Sequence, residues 1–313
     1  MPLVAFGVQY NGASMASVIG PLDFAERTEE LGYRSYFVPE LETLPTLDAF
    51  TLLASVAQRT SHMRLGTGVA VLPFHTPYQI AKIAASIDVL SGGRMVLGVG
   101  TGGVYNGDFA VEGVRVEDRR GITDERLALV RRLLSETDVT HHGTFHDMEH
   151  MTLEPRSVQQ PHLPIWTGAM WNGGFARRPL ERTARWADGF HPNGMTPEGY
   201  AEGRAVIEEM AASHGRDPAA FEWSCNMYLC MGQTRDDAYR EVQAAMRQRF
   251  GEDAWEIDPS TLPLGTPADC IETLEAFVDA GVTHFVINAL CTPEALLPTY
   301  ERFAVEVMPR FGV

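Results

Sequence analysis

One stretch of the chain, residues 63–106, restricts its fold more than any other. Residues 65–72 are apolar and β-branched and predict a strand, whereas residues 79–90 have the spacing of a helix. Ser91-Gly92-Gly93 ends that helix, and residues 95–99 form a second short apolar run that closes in glycines. A strand–helix–strand unit of this kind predicts two parallel strands joined by a right-handed crossover.

The same alternation runs through the whole chain of 313 residues, of which 45% are apolar, enough for a substantial core. Apolar runs predict eight strands, each of them short and most of them followed by a helical pattern. They are centred near residues 4, 36, 66, 96, 166, 190, 226 and 285. Strict alternation without an internal composition boundary predicts an α/β fold, a (β/α)8 TIM barrel with insertions, and a single domain over residues 1–313. A polar loop up to about residue 118 and a β-like insertion at 139–160 complete the outline.

Charge narrows the range of partners. The formal net charge is −16, which disfavours binding to nucleic acid or to an anionic membrane surface. The first residues lack the features of a signal peptide, and no apolar run approaches the roughly 20 residues that span a bilayer. We therefore expect a cytoplasmic protein whose partner is a small molecule.

In such a barrel, chemistry lies where the strands end. Glu40 ends the second strand and has the chemistry of a general acid or base, although a salt-bridged structural carboxylate is an equal alternative. His75 lies at the next strand end and is suited to donate a proton or a hydrogen bond, with a plain structural role as its alternative. His142, His146 and His150 are spaced as on a helix, but Gly143 interrupts it, so no metal site is predicted.

Two glycine-rich segments follow strand ends. Residues 98–103 have room for a phosphate or a flat ring but do not match a dinucleotide fingerprint, and a tight turn explains them equally well. Asn172-Gly173-Gly174, followed by Arg177 and Arg178, has the composition of an anion cradle at a helix start or of a surface turn with solvated arginines.

Five segments carry a recognisable pattern in the right order. They are LGTGVAVLPFHTPYQIAKIAASIDVLSGGRMVLGVGTG from Leu65, DRRGITDE at 118–125, LPIWTG at 163–168, ADGFHPN at 187–193 and GTPADCIETLEAFVDAGV at 265–282. Together they closely resemble the bacterial luciferase-like monooxygenase family over nearly the whole chain.

The resemblance implies an enzyme with a TIM barrel that binds the deazaflavin coenzyme F420, or alternatively FMN, at the mouth formed by the strand ends. It also implies a non-prolyl cis peptide between Gly68 and Val69 that backs the ring of the cofactor. The positions that match the family's cofactor-binding groups are Gly68, Val69, Thr101, Gly102, Asn106, Arg120, Trp171, Asn172, Gly173 and Gly174. A homodimer is a further implication.

Two departures from the family pattern bear on chemistry. Many relatives carry a histidine where this chain has Leu41, so Glu40 or His75 would have to exchange protons, or the reaction needs hydride transfer alone. The segment 169–180 is longer than the usual connection and predicts an altered substrate wall. The residues expected to line a mostly apolar substrate pocket are Leu41, Phe74, Tyr105, Phe175 and His191.

Three hypotheses follow. The first is an F420-dependent oxidoreductase, with Arg115, Arg119, Arg120, Arg177 and Arg178 steering the acidic tail of the cofactor. The second is an FMN-dependent monooxygenase that receives reduced flavin from a separate reductase. The third, motivated by Leu41, is a catalytically silent barrel that only binds the cofactor.

Overall fold

Eight parallel strands close into a barrel in the computed structural model. The structure describes residues 4–10, 19–42, 44, 46–103, 106–169, 174, 176–250 and 256–312, without the side chains of 106 and 248–250. Around the barrel the strands are β1 (Ala5–Gln9), β2 (Ser35–Val38), β3 (Arg64–Thr67), β5 (Met95–Gly100), β8 (Ile165–Thr167), β9 (Gly189–Phe190), β10 (Glu222–Met231) and β12 (His284–Ala289). Strand β12 pairs with β1 and completes the circle. The predicted TIM barrel is confirmed, and the single domain over 1–313 stays a prediction.

The third barrel strand differs from the continuous run predicted at 65–72. Strand β3 ends at Thr67, and a separate two-residue strand β4 (Ala70–Val71) continues along β5. Between them lies the cis peptide Gly68–Val69, as the family resemblance implies. The apolar pattern did not reveal this interruption, because both halves remain buried on the same sheet.

Helices cover the outside of the barrel. They are α1 (Pro21–Glu30), α2 (Ala49–Val56), α3 (Pro77–Ser91), α4 (Asn106–Val111), α5 (Arg119–Ser135), α6 (Arg177–Trp186), α7 (Pro197–Ser213), α8 (Arg235–Phe250), α9 (Pro267–Asp279) and α10 (Leu296–Glu306). Helix α4 corrects the prediction of an irregular loop up to residue 118. Phe109 on α4 is buried with its ring edge-on to Phe74, and this tertiary contact stabilises a helix whose six residues carry little signal of their own.

The insertion at 139–160 contains the predicted β-like structure. Strands β6 (Val139–His142) and β7 (Asp147–Met151) form an antiparallel hairpin outside the barrel. The carboxylate of Glu125 on α5 accepts hydrogen bonds from the backbone N–H groups of Thr144, Phe145 and His146 and so fixes the hairpin turn. A short strand β11 (Leu264–Gly265) pairs in parallel with the end of β10.

Two side chains at the C-terminal end of α3, Asp88 on the helix and Arg94 just after it, have structural roles. The buried Asp88 carboxylate accepts hydrogen bonds from the Ser157 hydroxyl at 2.6 Å, from the backbone N–H of Val158 at 2.8 Å and from the Gln159 side chain at 2.7 Å. Arg94 donates to backbone carbonyls that lie before β3, including Met63 at 2.9 Å. These two side chains therefore tie α3 and β5 to neighbouring loops.

The barrel interior is filled by rings. Phe37 stacks on Trp166 with ring centroids 5.4 Å apart and on His191 at 5.2 Å. A Cβ at Gly66 would collide with the Phe37 ring, and one at Gly189 would collide with Trp166. These glycines are needed because the inward-facing rings use the space that their own side chains would occupy.

No helix in the described part of the chain is long and apolar enough to cross a membrane.

Candidate active site at the barrel mouth

Glu40 and His75 meet where β2 and β4 end. Glu40 follows β2 directly and is buried, and its Oε1 accepts a 2.6 Å hydrogen bond from His75 Nε2. Its Oε2 accepts a 2.6 Å hydrogen bond from the backbone N–H of Val71. The carboxylate is thus held at both oxygens. The two residues that the sequence offered separately as acid or base form one pair.

The backbone around His75 is fixed on both sides. A 3-10 helix (Leu72–Phe74) precedes it, and Thr76 follows as the N-cap of α3, accepting a hydrogen bond from the N–H of Gln79 at 3.3 Å. The ring of Phe50 on α2 lies edge-on to the imidazole at 5.5 Å between centroids. In this ring orientation Nδ1 forms no hydrogen bond within the described residues, and 15% of the His75 side chain is exposed. Among the described residues, Nδ1 is therefore the ring nitrogen without a hydrogen-bond partner.

The charge state of His75 follows from its surroundings. Burial by itself lowers the pKa of the imidazole, but the hydrogen bond and the negative charge of Glu40 act in the opposite direction. Glu42 and Glu112 add further negative charge, and together they raise the pKa of His75 above its usual value. Burial also raises the pKa of Glu42, and the charge of Glu40 adds to that effect. His75 is consequently a proton donor over a wider pH range than an exposed histidine.

The glycines of β5 and its loop have packing reasons. A Cβ at Gly98 would collide with the carbonyl oxygen of Thr67, and one at Gly100 would lie 2.7 Å from Val69 Cγ2. Gly102 has φ +65° and faces Val71 and Phe109. We predicted that these glycines make room for a ring. Of the three, Gly100 makes room for the bulge formed by the cis peptide Gly68–Val69. Gly98 faces the Thr67 carbonyl, and Gly102 faces Val71 and Phe109.

The arginines expected to attract a cofactor tail differ in availability. Arg115 pairs with Glu117 at 2.6 Å, Arg119 donates to the carbonyl of Val116, and Arg178 pairs with Asp124 at 2.5 Å. Asp124 also pairs with the buried Arg182 at 2.7 Å. In contrast, Arg120 and Arg177 form no hydrogen bond or ion pair with any described part of the chain. Of the five arginines, these two have no partner in the part of the chain that the structure describes, and they lie in the first turns of α5 and α6.

Other predicted residues lie in several settings. Thr101 is half-buried beside Gly102, Phe74 is half-buried, and the Leu41 carbonyl accepts a hydrogen bond from the Thr46 hydroxyl at 3.2 Å. Gly174 is exposed. The predictions for Tyr105, Trp171, Asn172, Gly173 and Phe175 lie outside the described residues, as does the side chain of Asn106.

His191 lies inside the barrel and is only 4% exposed. Its Nδ1 shares a 2.7 Å hydrogen bond with the Ser224 hydroxyl, and its Nε2 is buried without a partner in the described structure. Burial lowers the pKa of His191 to about 3, so the ring is neutral at physiological pH. Its substrate contact stays a prediction, and the structure shows a buried interior residue next to Phe37.

Sequence reasoning missed two amides of the barrel interior. Asn226 on β10 donates to the side-chain oxygen of Gln9 on β1, and that oxygen lies 3.3 Å from the position a Cβ of Gly68 would take. The signal that could have found Asn226 is the alternation of small polar residues with Trp223, Cys225 and Met227, which marks a strand with a polar inner face.

The residues present fit a flavin-type cofactor at this mouth. The Oδ1 atom of the buried Asn226 has no partner among described residues, as expected of a wall that a polar heterocyclic ring completes. Val69, Gly100 and Thr101 are partly exposed at the strand ends. The exposed Arg120, unpaired with any described residue, suits a phosphate. These residues would hold the ring on the bulge and the phosphate near the start of α5.

Known proteins are similar to this chain in sequence and in fold. The chain is 28% identical to the 4-hydroxyprotoasukamycin monooxygenase of Streptomyces nodosus subsp. asukaensis, covering 93% of this chain and 86% of that protein. It is 24% identical to the F420-dependent glucose-6-phosphate dehydrogenase of Intrasporangium calvum, covering 94% and 96%. An F420-dependent secondary alcohol dehydrogenase solved with an F420–acetone adduct superimposes with a TM-score of 0.80 at 18% identity, covering 97% and 98%.

These relatives support an oxidoreductase that uses a flavin-type cofactor. The sequence profile of the luciferase-like monooxygenases matches residues 8–284. The chain therefore belongs to the luciferase-like monooxygenase family, as its motifs indicated.

Proposed function

We propose that this protein is an F420-dependent oxidoreductase that transfers hydride to or from a carbon of a small, mostly apolar organic substrate. The observation that carries the proposal is the pair formed by Glu40 and His75 at the mouth, with Nδ1 of His75 left free. A reaction that interconverts an alcohol and a carbonyl moves a proton as well as a hydride, and the pair is suited to that proton. The pair of Glu40 and His75 would act in place of the histidine that many relatives carry at the position of Leu41.

The bound cofactor would supply or accept the hydride, and the protein would handle the proton. In the reducing direction, Nδ1 of protonated His75 gives its proton to the substrate oxygen as the C–O double bond becomes a single bond. In the oxidising direction, neutral His75 takes the proton from the hydroxyl. Glu40 stabilises the imidazolium through Nε2, and the N–H of Val71 holds the carboxylate in place.

The surroundings of His75 favour an uncharged substrate. Phe74 and Phe109 form an apolar wall beside the 3-10 helix. The carboxylates of Glu42 and Glu112 lie close enough to affect the pKa of His75 and would repel an anionic substrate. We expect Leu41, Tyr105, Phe175 and His191 to complete the wall.

Cofactor binding would use the bulge and the starts of two helices. Gly68 and Val69 would back the ring, whereas Thr101, Gly102 and Arg120 would contact the phosphate. Asn106, Trp171, Asn172, Gly173 and Gly174 are the remaining proposed contacts. Arg120 and Arg177, which have no partner among the described residues, are the cations best placed to attract an acidic tail.

A second candidate is an FMN-dependent monooxygenase that receives reduced flavin from a separate reductase. Its support is the 28% identity to a named monooxygenase over most of both chains. A catalytically silent barrel is the third alternative, with Leu41 as its motive. We further propose that the enzyme is cytoplasmic and that it forms a homodimer. Sedimentation of the purified protein would test the dimer.

Titration of the purified protein with F420 and with FMN, followed by absorbance and fluorescence, separates these candidates. We expect tight binding of F420, and Arg120→Ala should weaken it by about 1–3 kcal/mol through the loss of a charge-assisted hydrogen bond. Arg132, which pairs with Glu136 on the outside of α5, provides the matched control Arg132→Ala. Tight binding of FMN alone would support the second candidate, and binding of neither would contradict both.

Turnover is tested by mixing the reduced F420 complex with ketones, aldehydes and enones and following reoxidation without oxygen. The oxidised complex is mixed with alcohols in parallel. We expect reoxidation by at least one acceptor, slowed about 100-fold or more in His75→Gln. Oxygenation of a substrate by the reduced FMN complex in the presence of oxygen would favour the monooxygenase, and no turnover with either cofactor would favour the silent barrel.

A further inference from the structure

Arg126 on α5 reaches the turn that carries His75. Its Nη1 donates to the carbonyl oxygen of Pro73 at 2.8 Å and to that of His75 at 2.7 Å, and it lies 3.5 Å from the carbonyl oxygen of Leu72. Three carbonyls of one short turn thus converge on a single guanidinium nitrogen. We propose that Arg126 is the positioning residue that holds His75 against Glu40, a role that rests on the proposed function of His75.

The environment of Arg126 indicates a specific task. Burial lowers the pKa of its guanidinium, against the opposing charge of the neighbouring Glu125. Its Nε is buried and has no hydrogen-bond partner within the described structure. A partly buried cation with an unsatisfied N–H is costly for stability alone. This cost has a reason if the contacts of Nη1 hold the turn in the position that His75 needs for proton transfer.

The hydrogen bond between Glu40 and His75 depends on the position of the turn at residues 72–75. Glu40 is held from β2 and by the N–H of Val71, whereas the His75 ring approaches from the far end of the 3-10 helix. Arg126 binds the carbonyl of His75 itself, one peptide unit before α3 begins. A shift of about 1 Å in this turn would break the 2.6 Å hydrogen bond between His75 and Glu40.

The direction in which the pKa of His75 changes distinguishes a positioning role of Arg126 from a direct effect of its charge. Removal of a nearby cation raises the pKa of a histidine, because the cation disfavours the charged imidazolium. Burial lowers the pKa of His75, and the contact with Glu40 opposes that effect, so loss of the contact lowers the pKa. A decrease in the pKa of His75 after removal of Arg126 therefore reports displacement of the ring.

The experiment is an NMR titration of 15N-histidine-labelled protein without cofactor or substrate, with His75 assigned from the missing signal in His75→Gln. We expect Arg126→Met to lower the pKa of His75 and Arg126→Lys, which keeps a donor for the carbonyls, to restore most of it. Arg132→Met on the same helix is the control and should leave the titration unchanged. An unchanged or increased pKa of His75 in folded Arg126→Met would overturn the proposal.

A second measurement covers the case in which Arg126→Met does not fold. Arg126→Gln keeps a shorter donor, and its turnover with F420 should fall roughly 10- to 100-fold in kcat while KM changes little, with Arg126→Lys between it and the wild type. Equal kcat in all three proteins would contradict the positioning role. Because the NMR titration needs no cofactor, it tests Arg126 even if turnover is absent, and turnover of the wild type tests the proposed function even if the pKa does not move.

Discussion

The neutral His191 inside the barrel should make the protein sensitive to acid in a measurable way. Its pKa is lowered from 6.5 to about 3 by burial, so between these values the unfolded chain binds a proton that the folded chain does not. Stability then rises with pH across this window and is lost as the pH falls below about 6.5. At about 1.4 kcal/mol per pH unit, the loss amounts to roughly 2 kcal/mol at pH 5 relative to pH 8.

The perturbation that isolates this effect is His191→Asn. The amide nitrogen of asparagine can take the place of Nδ1 and keep the hydrogen bond to Ser224, while the variant has no titrating ring. The smaller side chain leaves space beside Phe37 and costs a pH-independent amount. His284, hydrogen-bonded to Ser35 and also held at a lowered pKa by burial, contributes acid sensitivity of the same sign.

The assay is urea unfolding of wild type and variant at pH 8 and pH 5, followed by circular dichroism. The variant should be less stable than the wild type at pH 8, and the difference should shrink by about 2 kcal/mol at pH 5. For His284→Gln, the difference in the free energy of unfolding between variant and wild type should likewise be smaller at pH 5 than at pH 8. Parallel pH curves for wild type and His191→Asn would refute the premise that the buried ring stays neutral.

Three further predictions concern the mouth and the barrel. Glu40→Gln removes the charge that raises the pKa of His75, so the rate of carbonyl reduction should decline at lower pH than in the wild type, as a pH–rate profile would show. In the wild type, reduction should decline as the pH rises through the raised pKa, since only protonated His75 donates; an unchanged profile in the variant would exclude this pair as the proton donor. Gly66→Ala should destabilise the fold by about 1–3 kcal/mol in urea unfolding because its Cβ collides with the Phe37 ring, and a neutral effect would show that the ring can move. Asp88→Asn replaces one acceptor oxygen by an NH2 group that faces donors and should lower the free energy of unfolding by about 2–4 kcal/mol. A decrease below about 1 kcal/mol in the same assay would contradict the role of Asp88 in holding the loop at 157–159 to α3.

The sequence by itself determined the barrel and its family. Strand and helix periods depend on neighbouring residues along the chain, so the eight strands and the β-like insertion could be placed before any contact was known. The cis peptide Gly68–Val69 was available only through the family resemblance, because apolar periodicity continues across it. Helix α4 was missed because its stability depends on the distant contact between Phe109 and Phe74.

The tertiary structure decided how the candidate residues work. Glu40 and His75 are 35 positions apart, and their 2.6 Å contact exists only because adjacent parallel strands end at the same barrel mouth. Barrel closure likewise placed His191 in the interior, and the packing of α5 on the 3-10 helix brought Arg126 to three carbonyls of one turn. Composition and spacing specify which groups are available, whereas hydrogen bonds, burial and pKa depend on distances between residues far apart in the chain.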